Sequence, residues 1–386
     1  AKNNGICGKD CVKIADGNIT IKSEGDGIKS NNSEDTSKGY IYICGGKINI
    51  TSTTDAIQAE TTLTIEKGEI NLKTGGGSEN SSKTSGGKDN PQWGKWGQED
   101  SSTTEEDTAS AKGLKAGGDI KISNATIAAD TSDDSIHSNS NVTIESGTFN
   151  LKSGDDGIHA DTSTVINNGN IVIEKSYEGI EGSNVTINGG TIELTASDDG
   201  INSAGGSDSS SMGGRMGQNS FTENSDIYIK ITGGKATVDA SGDGLDSNSN
   251  LIIEGGKIYV NGPTNDGNGA LDYDGTATIS GGTFVAVGSS GMVQGFSDSS
   301  TQCSILYNLS SSHSAGEKIT LADSSGNEII SYTSTKQFSS VVISSAKITK
   351  SGTYKLTVGS ESYDIEMSST VYSNGSNGFG GRGEGG

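Results

Sequence analysis

Residues 141–160 read NVTIESGTFNLKSGDDGIHA. Val142 and Ile144 alternate with polar neighbours, Gly147 interrupts, and Phe149 and Leu151 take up the same side again. A period of two with β-branched residues marks short strands, not helices. After the second run come two aspartates, Gly157 and the aliphatic Ile158. The same order recurs on both sides of this stretch. A small residue followed by an aliphatic one stands at Gly5-Ile6, Gly27-Ile28, Ala56-Ile57, Gly113-Leu114, Ser135-Ile136, Gly157-Ile158, Gly179-Ile180, Gly200-Ile201, Gly244-Leu245 and Ala270-Leu271. From Leu114 to Ile201 the steps are 22, 22, 22 and 21 residues. Ile144, Ile166 and Ile187 share one slot; Phe149, Ile171 and Ile192 a second; Leu151, Ile173 and Leu194 a third.

One such unit cannot bury its apolar side alone, whereas stacked units bury it continuously. The expected fold is all-β: a parallel β-helix of roughly ten or eleven coils, neighbouring coils ~4.8 Å apart. A leucine-rich repeat is excluded by the missing asparagine and leucine frame, and a calcium-binding nonapeptide repeat by the period. Composition agrees. Only 29% of the 386 residues are hydrophobic, and 59 are glycine, too thin for a two-layer core but enough for repeated stripes.

The repeat spans residues 1–297, interrupted by Gly/Ser-rich insertions at 75–111 and 205–224, and fades after GMVQGF at 291–296. From 298 to 372, KITLADSSGNEIISY and GTYKLTVGSESYDIEM predict antiparallel hairpins turning at Ser325-Gly326 and near Gly359, a cap for an open sheet edge. Residues 373–386 form a Gly-rich tail. The polar opening AKNNGICGKD is expected of a mature or trimmed chain rather than a leader. Cys7 and Cys11 lie close enough to close a small loop, but four cysteines, with Cys44 and Cys303, are sparse for a disulfide framework.

A net charge of −22, from 27 basic and 49 acidic residues, argues against nucleic acid and anionic membranes as partners. No apolar run approaches the ~18 residues of a membrane span. Much of the acid lies at one corner. Two residues before the anchors stand Asn4, Asp26, Asp55, Lys112, Asp134, Asp156, Glu178, Asp199 and Asp243, doubled by Asp133, Asp155 and Asp198. Stacked at strand separation, each like pair repels by roughly 1 kcal/mol in water. One reading is that Asp and Asn merely favour turns. The other is Ca²⁺, which takes six to eight oxygen ligands, held by Asp133, Asp134, Asp155, Asp156, Glu178, Asp198 and Asp199, with Asp243 and Asp246 as outlying candidates.

His137 and His159 stand one repeat apart beside this column, while His313 falls in the cap. They are read as surface ladder residues whose pKa neighbouring carboxylates raise, with a zinc site the lesser alternative. Lys112 is read as charge relief beside Asp134; the sharper alternative, a general base, needs a lowered pKa that acidic neighbours oppose. Trp93 and Trp96, in the inserted PQWGKWGQ, either seal the helix wall or stack against sugar rings.

The repeated DGI and DDGI corners, the strands of the form TI-x-GG-T-x-x-L and the Gly-rich insertions resemble the clostridial carbohydrate-binding β-helix domain, similar in fold to pectate lyases. The resemblance covers residues 4 to about 296 and departs from the pattern at Lys112 and Glu178. It implies a right-handed parallel β-helix, bound calcium on the corner aspartates, and attachment to cellulose or acidic pectin without cleavage. The protein is then expected to be a secreted or bacterial cell-surface monomer whose partner is plant cell-wall polysaccharide. The alternatives are a calcium-dependent lyase acting on polygalacturonate, a hydrolase using paired carboxylates, and a stalk without a glycan site. A lyase needs a base, and the two arginines, Arg215 and Arg382, lie in Gly-rich segments that hold no side chain rigidly.

Overall fold

The computed structural model describes residues 1–81, 110–204 and 227–375. It is a parallel β-helix of ten coils followed by antiparallel strands. Each coil gives one strand to each of three sheets. The first sheet runs from Ile6–Gly8 to Leu271–Tyr273, the second from Cys11–Ile14 to Ala277–Ile279, and the third from Asn18–Ser23 to Thr283–Gly288.

The register is the one the repeat predicts. Leu114, Ile136, Ile158, Ile180, Ile201 and Leu245 pair in succession along the first sheet. Ile144, Ile166 and Ile187 pair in the second sheet, and Phe149 with Ile171 and Ile192, and Leu151 with Ile173 and Leu194, in the third. All are buried in one continuous core. Each fully buried Leu, Ile or Phe contributes ~1.5–3 kcal/mol relative to exposure, so the sum along the stack offsets a chain entropy that no single coil could. Gly157 shows why the anchor follows a small residue. A Cβ there would lie 2.6 Å from the Gly179 carbonyl oxygen and 2.7 Å from Ile173 Cδ1.

At the C-terminal end the third sheet continues. Thr283–Gly288 pairs antiparallel with Phe338–Ser345, which pairs in turn with Ser304–His313. Lys318–Asp323, Glu328–Thr333, Thr353–Val358 and Glu361–Glu366 form a separate antiparallel sheet, turning at Gly326 (φ +84°) and Gly359 (φ +56°). Its apolar side packs on Val285 and Val287, which point outward from the last coil. The edge of the second sheet is closed by residues 297–302: the Ser297 and Thr301 amides donate to the Ala277 and Ile279 carbonyls. Cys7, Cys11, Cys44 and Cys303 are free thiols. Among the described residues no helix is long and apolar enough to cross a membrane.

Candidate functional site

Two columns run side by side along the first sheet. One holds the corner residues named above. The other holds the middle residue of each strand: Lys29, Gln58, Lys115, His137 and His159 in paired register, then, past Glu181, Asn202, Asp246 and Asp272.

The corner side chains do more than favour a turn: they bond the next coil. Asn4 Oδ1 accepts the Asp26 amide at 2.9 Å, Asp55 Oδ1 that of Lys112 at 2.8 Å, Asp134 Oδ1 that of Asp156 at 2.9 Å, and Asp199 Oδ1 that of Asp243 at 2.6 Å. Asp243 Oδ1 accepts the Gly269 amide at 2.5 Å. Lysine has no acceptor, so in the coil after Lys112 the Asp134 amide turns instead to Asp133 Oδ1, 2.9 Å away. One of the doubled acids thus replaces a missing oxygen.

In the first six coils the corner acids are buried and nearly all meet a cation. Lys29 Nζ lies 2.7 Å from Asp26 Oδ2, and Lys115 Nζ 3.6 Å from Asp55 Oδ2. Lys112 Nζ sits between Asp133 Oδ1 at 2.9 Å and Asp134 Oδ2 at 2.5 Å. Burial works against the Lys112 charge, but the two aspartates overcome it and raise its pKa. Lys112 is therefore charge relief, the reverse of what a general base requires. Burial likewise opposes ionisation of Asp134, yet Lys112 and the bond from His137 hold its carboxyl well below the usual range.

The two histidines are buried, not on the surface, because their rings cover each other, stacked 4.8 Å apart at 7°, and carboxylate and amide neighbours close their edges. His159 Nδ1 lies 2.5 Å from Glu181 Oε2 and 3.3 Å from Asp156 Oδ2. Burial disfavours its charge, but the bonds to Asp156 and Glu181 raise its pKa to about 12. Asp156 is the exception among these acids: burial and the adjoining Asp155 push it up against the lowering bond from His159, whose shorter contact goes to Glu181. His137, His159 and Asp161 converge to within 4.8 Å, but each histidine Nε2 already faces an oxygen, of Asn139 and Asp161 respectively.

Among the described residues no Lys, Arg or His pairs with Glu178, Asp198, Asp199, Asp243, Asp246 or Asp272. Asp198 instead accepts a hydrogen bond from Tyr177. Burial first, then like charges, pushes Glu178, Asp199 and Asp246 well up, and Asp243 up to about 7. Asp199, Asp243 and Asp246 bring oxygens within 4.8 Å of one another and are half-buried. Between Glu181 and Asp246 stands Asn202. Its Nδ2 donates to Glu178 Oε2 at 2.9 Å, while its buried Oδ1 has no hydrogen-bond partner among the described residues.

The sequence candidates thus fall into two groups: Asp133, Asp134, Asp155 and Asp156 in the half that carries its own cations, and Glu178, Asp198, Asp199, Asp243 and Asp246 in the half that does not. Trp93 and Trp96 lie outside the described residues. The reading of the sequence passed over Glu181, Asn202 and Asp272; following the residue after each aliphatic anchor, Ile180, Ile201 and Leu271, would have found them.

A family model of carbohydrate-binding domain-containing proteins matches residues 1–157, 140–220 and 157–377. The chain belongs to this family. Overlapping matches are what a repeat produces when its coils align in more than one register. No curated protein and no solved structure matches the chain. For a carbohydrate-binding domain, membership supports a polysaccharide as partner.

Proposed function

We propose that this carbohydrate-binding domain protein is a secreted, monomeric β-helix that holds calcium and attaches to plant cell-wall polysaccharide, acidic pectin and/or cellulose, without cleaving it. The observation that carries the calcium is the second half of the first sheet. Its donors are all oxygen, burial and then like charges push the Asp199 and Asp246 carboxyls up, and Asn202 Oδ1 is buried without a hydrogen-bond partner among the described residues. That donor set suits a hard cation. Asp199, Asp243 and Asp246 are the core of the proposed site, with Glu178, Asp198 and Asn202 around them. Asp133 and Asp134 fit an ion less well, because the Lys112 ammonium already stands between them.

Bound calcium supplies positive charge that can bridge protein and polymer carboxylates, which lets a chain of charge −22 hold an anionic glycan. Since the polymer lies outside cells, the proposal includes an extracellular or bacterial cell-surface location. Lys112, raised rather than lowered in pKa, favours binding over a lyase mechanism. The test is retention on polygalacturonate and on cellulose, with calcium and with chelator. Calcium-dependent retention on the acidic polymer is expected; no retention on either polymer rejects the proposal, and release of unsaturated uronate products reinstates the lyase.

A further inference from the structure

The outer side of the third sheet is covered by the antiparallel strands at its C-terminal end and, among the described residues, open at the other. Towards the open end, a line of outward residues runs Asn49, Asn71, Ala128, Asn150 over consecutive coils. Beside it runs Lys73, Asp130, Lys152. These residues line a concave groove of about 440 Å³. Ala128 is its cause: an amide line loses one side chain, leaving a gap between Asn71 and Asn150, which stand two strands or roughly 9–10 Å apart.

The polar rim is held in place. Asn71 Nδ2 donates to Asn49 Oδ1 at 3.0 Å, and Asn150 Nδ2 to Glu174 Oε1 at 2.7 Å. Asp130 is fixed by Lys73 Nζ at 2.7 Å and by the Ser78 amide at 2.8 Å. Lys152 Nζ pairs with Glu174 Oε2 at 2.8 Å. Each groove lysine therefore has its own carboxylate, and the groove offers an anion no spare cation. It does offer a rim of donors and acceptors repeating at the coil spacing, over a floor of the Ala128 methyl and lysine stems. A pyranose has the matching surface, with hydroxyls at its edge and C–H groups on its face.

We propose that this groove binds a stretch of neutral hexose polymer laid along the helix axis, with Ala128 as the residue that admits it. The inference rests on the carbohydrate-binding reading and adds to it a site, remote from the acidic columns, for the neutral rather than the acidic polymer. The test is calorimetric titration of the full chain with cellohexaose and, as the charged comparator, hexagalacturonate. The wild type is expected to bind cellohexaose, and Ala128→Tyr to weaken that binding at least tenfold with an unchanged melting temperature. Should Ala128→Tyr fail to fold, Asn71→Ala decides, with at least a threefold loss expected. Unchanged cellohexaose affinity in the deciding variant overturns the site and leaves the carbohydrate-binding reading intact. Binding of hexagalacturonate alone overturns the ligand class, and a wild type that binds neither hexamer nor the insoluble polymers overturns both readings.

Discussion

Along the first sheet, coils two to six and coils seven to ten carry the same backbone and opposite chemistry. In the former, Lys29, Lys115, Lys112 and His159 stand against Asp26, Asp55, Asp134 and, at the boundary with coil seven, Glu181 at 2.5–3.6 Å. In the latter, Asp246 and Asp272 occupy two of the middle positions, and Asp199 and Asp243, of the same sign, stand at neighbouring corners. The register of the buried anchors is undisturbed across the change. The fold therefore asks the corner for an acceptor oxygen, supplied to the next coil's amide, and is indifferent to its charge. Asn4 meets the requirement with an amide. Charge along the face is free to serve something else, and where the described residues supply no cation an external one has the place proposed for it.

The hardest blow to this contrast is to remove the internal cation. Lys112→Met leaves Asp133 and Asp134 without their ammonium, and breaking a buried pair costs ~3–5 kcal/mol. Denaturant unfolding is expected to show that loss. Adding Asp133→Asn and Asp134→Asn is expected to recover most of it, since amides still accept the neighbouring N–H groups. If the triple variant is as unstable as the single one, charge is not what Lys112 balances.

The second half is tested by the opposite manipulation. Calcium at a hundred times its dissociation constant stabilises by ~2.7 kcal/mol through mass action. Chelation is expected to lower the melting temperature by several degrees in the wild type and not in Asp246→Asn, which keeps the corner bonds of Asp199 and Asp243. An identical wild-type melt with calcium and with chelator removes the ion from the account.

Much of this was legible in the repeat. A fixed step places the anchors, and with them every slot of the core, because a one-residue slip would turn each strand inside out. The cap hairpins follow from alternation and their glycines. What could not be read was pairing between coils. The Lys112 amide and Lys115 Nζ reach Asp55 across an insertion, and His159 looks surface-bound until His137 is stacked upon it. The groove is less visible still, being made by an absent side chain at Ala128 between asparagines far apart in sequence. A repeat announces what recurs; partners set by exceptions to it emerge only in three dimensions.

A smaller effect marks where the two halves meet. His159 has a folded pKa of about 12 against an ordinary 6.5, so its contribution is full below pH 6.5 and is lost as pH rises toward 12. Relative to His159→Gln, the wild-type advantage is expected to shrink by about 1.4 kcal/mol per pH unit between pH 7 and 8. A pH-independent difference would mean that the ring is neutral and that Glu181 belongs electrostatically with the unpaired half.

The smallest effect is expected where the spacing is kept and only burial changes. Lys121 Nζ and Glu145 Oε1 pair across adjacent coils of the second sheet at 3.0 Å, much as Lys112 and Asp134 do, but both side chains are exposed. Water solvates each of them almost as well alone, so Lys121→Ala should cost less than ~0.5 kcal/mol. A loss comparable to that of Lys112→Met would show that inter-coil ion pairs stabilise the helix wherever they occur. The contrast between the halves of the first sheet would then lie in the number of pairs, rather than in the cost of enclosing a carboxylate without a cation.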